Sequence, residues 1–181
     1  MNGEYLYRKY LSGDKSAFDE IVELYRDNLI FFINRYTHNL DTSEDISQDS
    51  FMELLLNPTK FDFRVSLKTY LFTVGRNKAL NHIKKQDRMF CSDNIDLSLK
   101  SDSYISFENE ILASEDKKAL HNSIDKLRDD YSTVLHLIYF EEMSYAQAGA
   151  VMNKSRKQVE NLVMRARTTL RILLEKEGYS K

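Results

Sequence analysis

Tryptophan is missing from this 181-residue chain, cysteine and proline occur once each (Cys91 and Pro58), and glycine occurs five times. A single cysteine excludes an intramolecular disulfide, and nothing in the composition points to an oxidising compartment. So few helix breakers, with apolar residues recurring at helical spacing, predict an all-α protein. No apolar run approaches the ~20 residues that cross a bilayer, and the start MNGEYLYRKY lacks the apolar centre of a signal peptide, so a cytoplasmic protein is expected. There is no phosphate-cradling Gly-rich loop and no nucleophile elbow. His38, His82, His121 and His136 are scattered, none at metal-ligand spacing with Cys91 or a carboxylate. The stretch DTSEDISQDS lacks the central Gly and terminal Glu of a calcium loop. No catalytic site, metal, cofactor or small-molecule substrate is expected.

What the chain does have is segregated charge. The net charge is −2, but Asp41, Glu44, Asp45, Asp49 and Glu53 form an acidic block without a base. Between Lys60 and Arg88 eight basic residues face two Asp; between 89 and 113 five acids face Lys100; between Asn153 and Arg171 six basic residues face Glu160. Two basic patches separated by acidic stretches suggest two contacts with DNA and other surfaces meant for something else.

The second patch lies on a recognisable layout. Ser144 with Gln147, and Ser155 with Gln158, have the spacing of a capping box and mark two helix starts, with Asn153-Lys154 as the turn between them. Beyond it Val159, Val163, Ala166, Leu170 and Leu173 or Leu174 form an apolar stripe, while Arg156, Lys157, Arg165, Arg167 and Arg171 cover the rest. This is the layout of a helix-turn-helix whose second helix enters the major groove, and equally of a plain helical hairpin with a solvated basic face. Arg156, Lys157, Gln158 and Asn161 are the candidates for groove contacts, with Arg165 and Arg167 on phosphates or surface.

Upstream, a short amphipathic segment ends at Ser12-Gly13, and a long helix is predicted from about Lys15 to Tyr36. The next helix is expected to start at a Thr42-Ser43 cap and run to Asn57-Pro58, burying Ile46, Phe51, Leu54 and Leu55. Its other half mixes Asp45, Gln48, Asp49 and Glu53 with Met52 and Leu56, and apolar groups ringed by polar ones suit a protein-binding surface. In the loop 57–66, Phe61 and Phe63 stand beside Lys60 and Arg64. They can stack on unpaired bases or plug the base of the bundle. The helix from Leu67 carries Arg76, Lys78, Lys84, Lys85 and Arg88, with Asn77 and Asn81 able to bond bases or phosphates. Residues 89–113 read as a linker, dividing the chain into 1–88 and 114–181. Ser114 is expected to cap a helix bearing Leu120, Ile124 and Leu127, and another helix to run from about Asp130 to Phe140.

Three segments in order, SEDISQDSFMELL, SLKTYLFTVGRNKALNHIKKQ and LRDDYSTVLHLIYFEEMSYAQAGAVMNKSRKQVENLVMRARTTL, give the chain a family likeness: it resembles the extracytoplasmic-function sigma factors, small two-domain specificity subunits of bacterial RNA polymerase. The resemblance implies that Asp45, Gln48, Asp49 and Met52 dock on a coiled coil of the polymerase's largest subunit. It implies that Lys60, Phe61, Phe63, Arg64, Arg76, Asn77, Asn81, Lys84 and Lys85 capture the melted −10 strand. It places the helix-turn-helix on duplex at the −35 element, and the acidic linker along the path toward the RNA exit. Such proteins are typically held inactive by an anti-sigma factor, often membrane-anchored, and this one is expected to be a monomer when free. Relative to the family, Lys154 stands where an apolar residue is common, Glu160 and Leu162 where Lys and Arg are frequent, and Gly149 where Ala is usual. A free-standing helix-turn-helix regulator is the other reading, but it gives no role to the face with Met52 or to the basic helix after Phe63.

Overall fold

A computed structural model describes residues 2–90, 123–124 and 126–176, and the structured elements among them are all helical. The chain divides into two compact units, Met1–Ser101 and Asp102–Lys181. Among the described residues no helix is long and apolar enough to cross a membrane, and no three His, Cys, Asp or Glu are grouped to hold a metal ion.

The first unit contains α1 (Gly3–Leu11), α2 (Ser16–Thr37), α3 (Leu40–Leu56), a 3-10 turn (Pro58–Lys60) and α4 (Leu67–Phe90). Helix α2 is its axis, touching α1, α3 and α4. Ile21, Leu29, Ile30, Phe32 and Ile33 of α2 are buried with Leu54 of α3 and Leu67, Leu71 and Phe72 of α4. Chain reversals follow backbone chemistry: Gly13 at φ +108° after α1, and His38 in the left-handed conformation at the end of α2.

The cap of α3 differs from the expected one. Asn39 is the N-cap, its side chain accepting from Thr42 N at 2.8 Å, so the helix starts two residues before Thr42. Ser43, expected at the cap, is instead fully buried. Its hydroxyl lies 3.1 Å from Asn34 Oδ1, 2.7 Å from the Asn39 carbonyl and 2.6 Å from Thr37 Oγ1. A buried hydroxyl needs partners, and this cluster supplies them while tying α2 to α3 across their turn.

Two long-range contacts from α1 set the ends of other helices. Tyr7 Oη donates to the Leu54 carbonyl in the last turn of α3 at 3.1 Å, and Glu4 Oε1 accepts from Leu67 N, the first residue of α4, at 2.6 Å. Ser66 caps the same helix locally through Thr69 N. An anion and a hydroxyl acceptor at one helix N-terminus satisfy donors that the helix itself leaves open.

The second unit contains α5 (Asp129–Tyr139), α6 (Tyr145–Met152) and α7 (Arg156–Lys176), each packed on the other two. Val134, Leu135 and Leu137 of α5, Val151 and Met152 of α6 and the stripe Val159, Val163 and Ala166 of α7 form its core with Ile124 and Leu127. His136 is buried as well, its Nε2 3.3 Å from Glu141 Oε1 and its ring stacked on Phe140. The expected linker 89–113 and the cap at Ser114 lie outside the described residues, apart from Met89 and Phe90 in the last turn of α4.

Candidate nucleic-acid interface

The turn between α6 and α7 is built by reciprocal caps. Gln147 N donates to Ser144 Oγ and Ser144 N to Gln147 Oε1; Gln158 N donates to Ser155 Oγ and Ser155 N to Gln158 Oε1. Between them Asn153 takes the left-handed conformation (φ 55°), and Lys154 N closes on the Gly149 carbonyl at 2.9 Å. This closure explains Gly149: a Cβ there would lie 2.6 Å from the Lys154 carbonyl oxygen. Lys154 also lies 3.7 Å from Asp130 of α5, which gives the unusual residue a partner within the unit.

On α7, Arg156, Lys157, Gln158, Asn161, Arg165 and Arg167 are all exposed. At ~3.6 residues per turn, Lys157, Asn161 and Arg165 point away from the buried stripe, whereas Arg156 and Arg167 flank it. The flanking pair is partly engaged: Arg156 Nε bonds Glu160 Oε1 at 3.1 Å, and the Arg167 guanidinium lies 5.2 Å from the Tyr139 ring centroid. Gln158 uses its carbonyl in the cap, leaving its amide N–H groups for a ligand. Met164 was missed by the charge pattern. It is 62% exposed on the same outer face as Asn161 and Arg165, and a thioether there suits an apolar contact such as a thymine methyl.

In the first unit, Asp45, Gln48 and Asp49 are exposed on α3 with Met52 (45%) and Leu56 (68%), one connected strip at helical spacing. Ile46, Phe51 and Leu54 face the core, as their spacing predicts, whereas Leu55, expected with them, is only half-buried. Glu53 lies at the edge of the strip and bonds Lys60; the ammonium holds its carboxyl below the usual range, and the carboxylate raises Lys60 in turn.

On α4, Asn77, Asn81, Lys84, Lys85 and Arg88 are exposed within one helical face, forming a polar and basic ridge. Arg76 stands off that ridge, its Nε donating to Tyr36 Oη at 3.2 Å. The two Phe residues of the loop part company. Phe61 is 3% exposed, packed among Tyr7, Phe63 and Tyr70, and is a plug of the bundle. Phe63 is half-buried, and Arg64 beside it bonds Asp62. Alternation across an irregular segment gave no way to tell the two rings apart.

Two helical units, one with a basic helix presented by a helix-turn-helix and one with a basic ridge beside an acidic and apolar strip, define a DNA-binding transcription protein. Sequence profiles narrow this: Sigma-70 region 2 matches residues 21–89 and Sigma-70, region 4 matches residues 117–170. The ECF RNA polymerase sigma factor SigW of Bacillus subtilis is 27% identical over 168 residues, covering 88% of this chain and 89% of that protein. SigM of the same organism is 28% identical over 156 residues, covering 86% and 93%. Among solved structures, the sigma factor RpoE of Bartonella quintana in complex with the anti-sigma factor NepR matches with a TM-score of 0.69 at 23% identity, over 87% of this chain and 96% of that one. CnrH in complex with the cytosolic domain of CnrY matches at 0.68 and 22%, over 95% and 96%. The chain belongs to the extracytoplasmic-function family of RNA polymerase sigma factors, DNA-binding proteins of transcription initiation.

Proposed function

We propose that this sigma factor docks on core RNA polymerase through the α3 strip of Asp45, Gln48, Asp49 and Met52, and that its two basic surfaces divide promoter recognition between them. The observation that carries the reading is Met52, a large apolar side chain left 45% exposed amid carboxylates and continued by Leu56. A coiled coil of the polymerase's largest subunit complements that mixture where it presents apolar and basic positions. Lys157, Asn161 and Arg165, flanked by Arg156, Gln158 and Arg167, read the −35 duplex in the major groove. The α4 ridge and the 57–66 loop hold the melted −10 strand, with Phe63 as the stacking ring and Phe61 its support. The protein has no catalytic activity of its own, acts in the cytoplasm, and is held in check by an anti-sigma factor over its polymerase-binding surface, a partner of the kind in the solved structure of RpoE with NepR.

Co-elution with core polymerase tests the docking face. Asp49→Lys and Met52→Asp should each abolish it while leaving helicity and melting temperature unchanged, because both side chains are exposed. If both variants co-elute like the parent, the face is wrongly assigned.

A further inference from the structure

One ring of the 57–66 segment, that of Phe63, is faced by a cation that the segment's own charge pattern does not contain, because it comes from α1. The guanidinium carbon of Arg8 lies 4.0 Å from the centroid of the Phe63 ring. Phe63 sits at φ +63°, a conformation that a bulky L residue adopts only when its surroundings hold it there. What holds it is visible: its ring rests on Phe61 at 4.6 Å and Tyr7 at 6.0 Å, so the strained backbone keeps one ring out of the core while its neighbour fills it. Lys60 and Arg64, the basic residues of the segment, each have a carboxylate partner in Glu53 and Asp62. Arg8 is exposed and has its charge against an aromatic face.

We propose that Arg8 is a further strand-capture residue: it covers the Phe63 face in the free protein, yields that face to an unpaired nucleobase, and moves to the adjoining phosphate. The proposal rests on the assignment of the 57–66 loop to the melted −10 strand. A guanidinium is planar and stacks on a ring much as a base does, so it keeps the ring oriented without water. An exposed cation–π contact is weaker than base–aromatic stacking, so the base displaces it. The released guanidinium then meets a strand whose phosphates accept its parallel N–H donors.

The test uses holoenzyme reconstituted with core polymerase and a promoter found by run-off transcription, fully duplex and with the −10 segment premelted. Affinity is measured against salt concentration for the parent, Arg8→Gln and Arg8→Lys. On the premelted template Arg8→Gln should bind several-fold more weakly and reduce the slope of log K against log salt by about 0.7, the counterion of one single-strand phosphate. Arg8→Lys should keep the parental slope. A merely structural Arg8 would alter melting temperature and leave the slope alone, so an unchanged slope in Arg8→Gln overturns the proposal. If premelting gives the parent no gain over duplex, strand capture by this loop is wrong and the role of Arg8 falls with it; a gain that only the slope fails to follow condemns Arg8 alone.

Discussion

Gly149 would look, from helix propensity, like a residue to improve, since alanine is favoured over glycine in a helix by up to ~1 kcal/mol. The approach of the Lys154 carbonyl reverses the sign. A methyl 2.6 Å from a backbone oxygen has no flexible neighbour to push aside, and overpacking costs about 1–3 kcal/mol. Gly149→Ala should therefore lower the melting temperature of the second unit and, by opening the turn, weaken −35 duplex binding by the holoenzyme; a raised melting temperature would show that the turn relaxes freely. Tyr7 makes a pH prediction. Burial, with added repulsion from Tyr10 and Tyr70, pushes its hydroxyl up to about 12 from 10.0. The fold thus favours the protonated form, which donates to Leu54, so this stabilisation is complete below pH 10 and is lost as pH rises toward 12. Urea midpoints should fall across that window, and Tyr7→Phe should flatten the fall. Tyr25 and Tyr70, also raised by burial, keep some of it in place.

At the scale of elements, helix starts decide which faces are presented. Asn39 caps α3, and Asn39→Ala should cost about 1 kcal/mol, read as a lower urea midpoint, since it removes the acceptor for Thr42 N. Thr42→Ala should cost less, because its hydroxyl does not make the cap. The sequence offered Thr42-Ser43 with acids following, a plausible start; Asn39 won because Ser43 is drawn inward by Asn34, nine residues earlier, a contact that no local pattern contains. The capping boxes at Ser144 and Ser155 were legible because both partners lie within four residues. So were the faces of α3 and α7, which repeat at helical spacing. The burial of Phe72, the split between Phe61 and Phe63, and the Glu4 contact to Leu67 N, 63 residues away, depend on packing between helices and were not. Met164 is not legible for a simpler reason: the pattern that marks the outer face of α7 is one of charge, and an exposed thioether carries none.

Across the whole molecule, the charge balance sets how the protein meets DNA. A net charge of −2 means that its basic surfaces act locally and the chain as a whole is not drawn to a polyanion. The α7 surface offers few cations to phosphates: its outward ones are Lys157 and Arg165, with Arg156 engaged by Glu160. Few released counterions mean modest affinity with a shallow salt dependence. When two such surfaces are fixed on one polymerase, the second contact becomes intramolecular and the affinities compound. The free protein should then bind promoter duplex with a Kd of about 1 μM or weaker at physiological salt and scarcely distinguish it from unrelated duplex. With core polymerase it should become selective. Fluorescence anisotropy with labelled duplex, titrated with and without core polymerase, measures both. Selective nanomolar binding by the protein alone would mean that the helix-turn-helix suffices as a reader, as in a free-standing regulator, and would leave the α3 strip without a part in promoter choice.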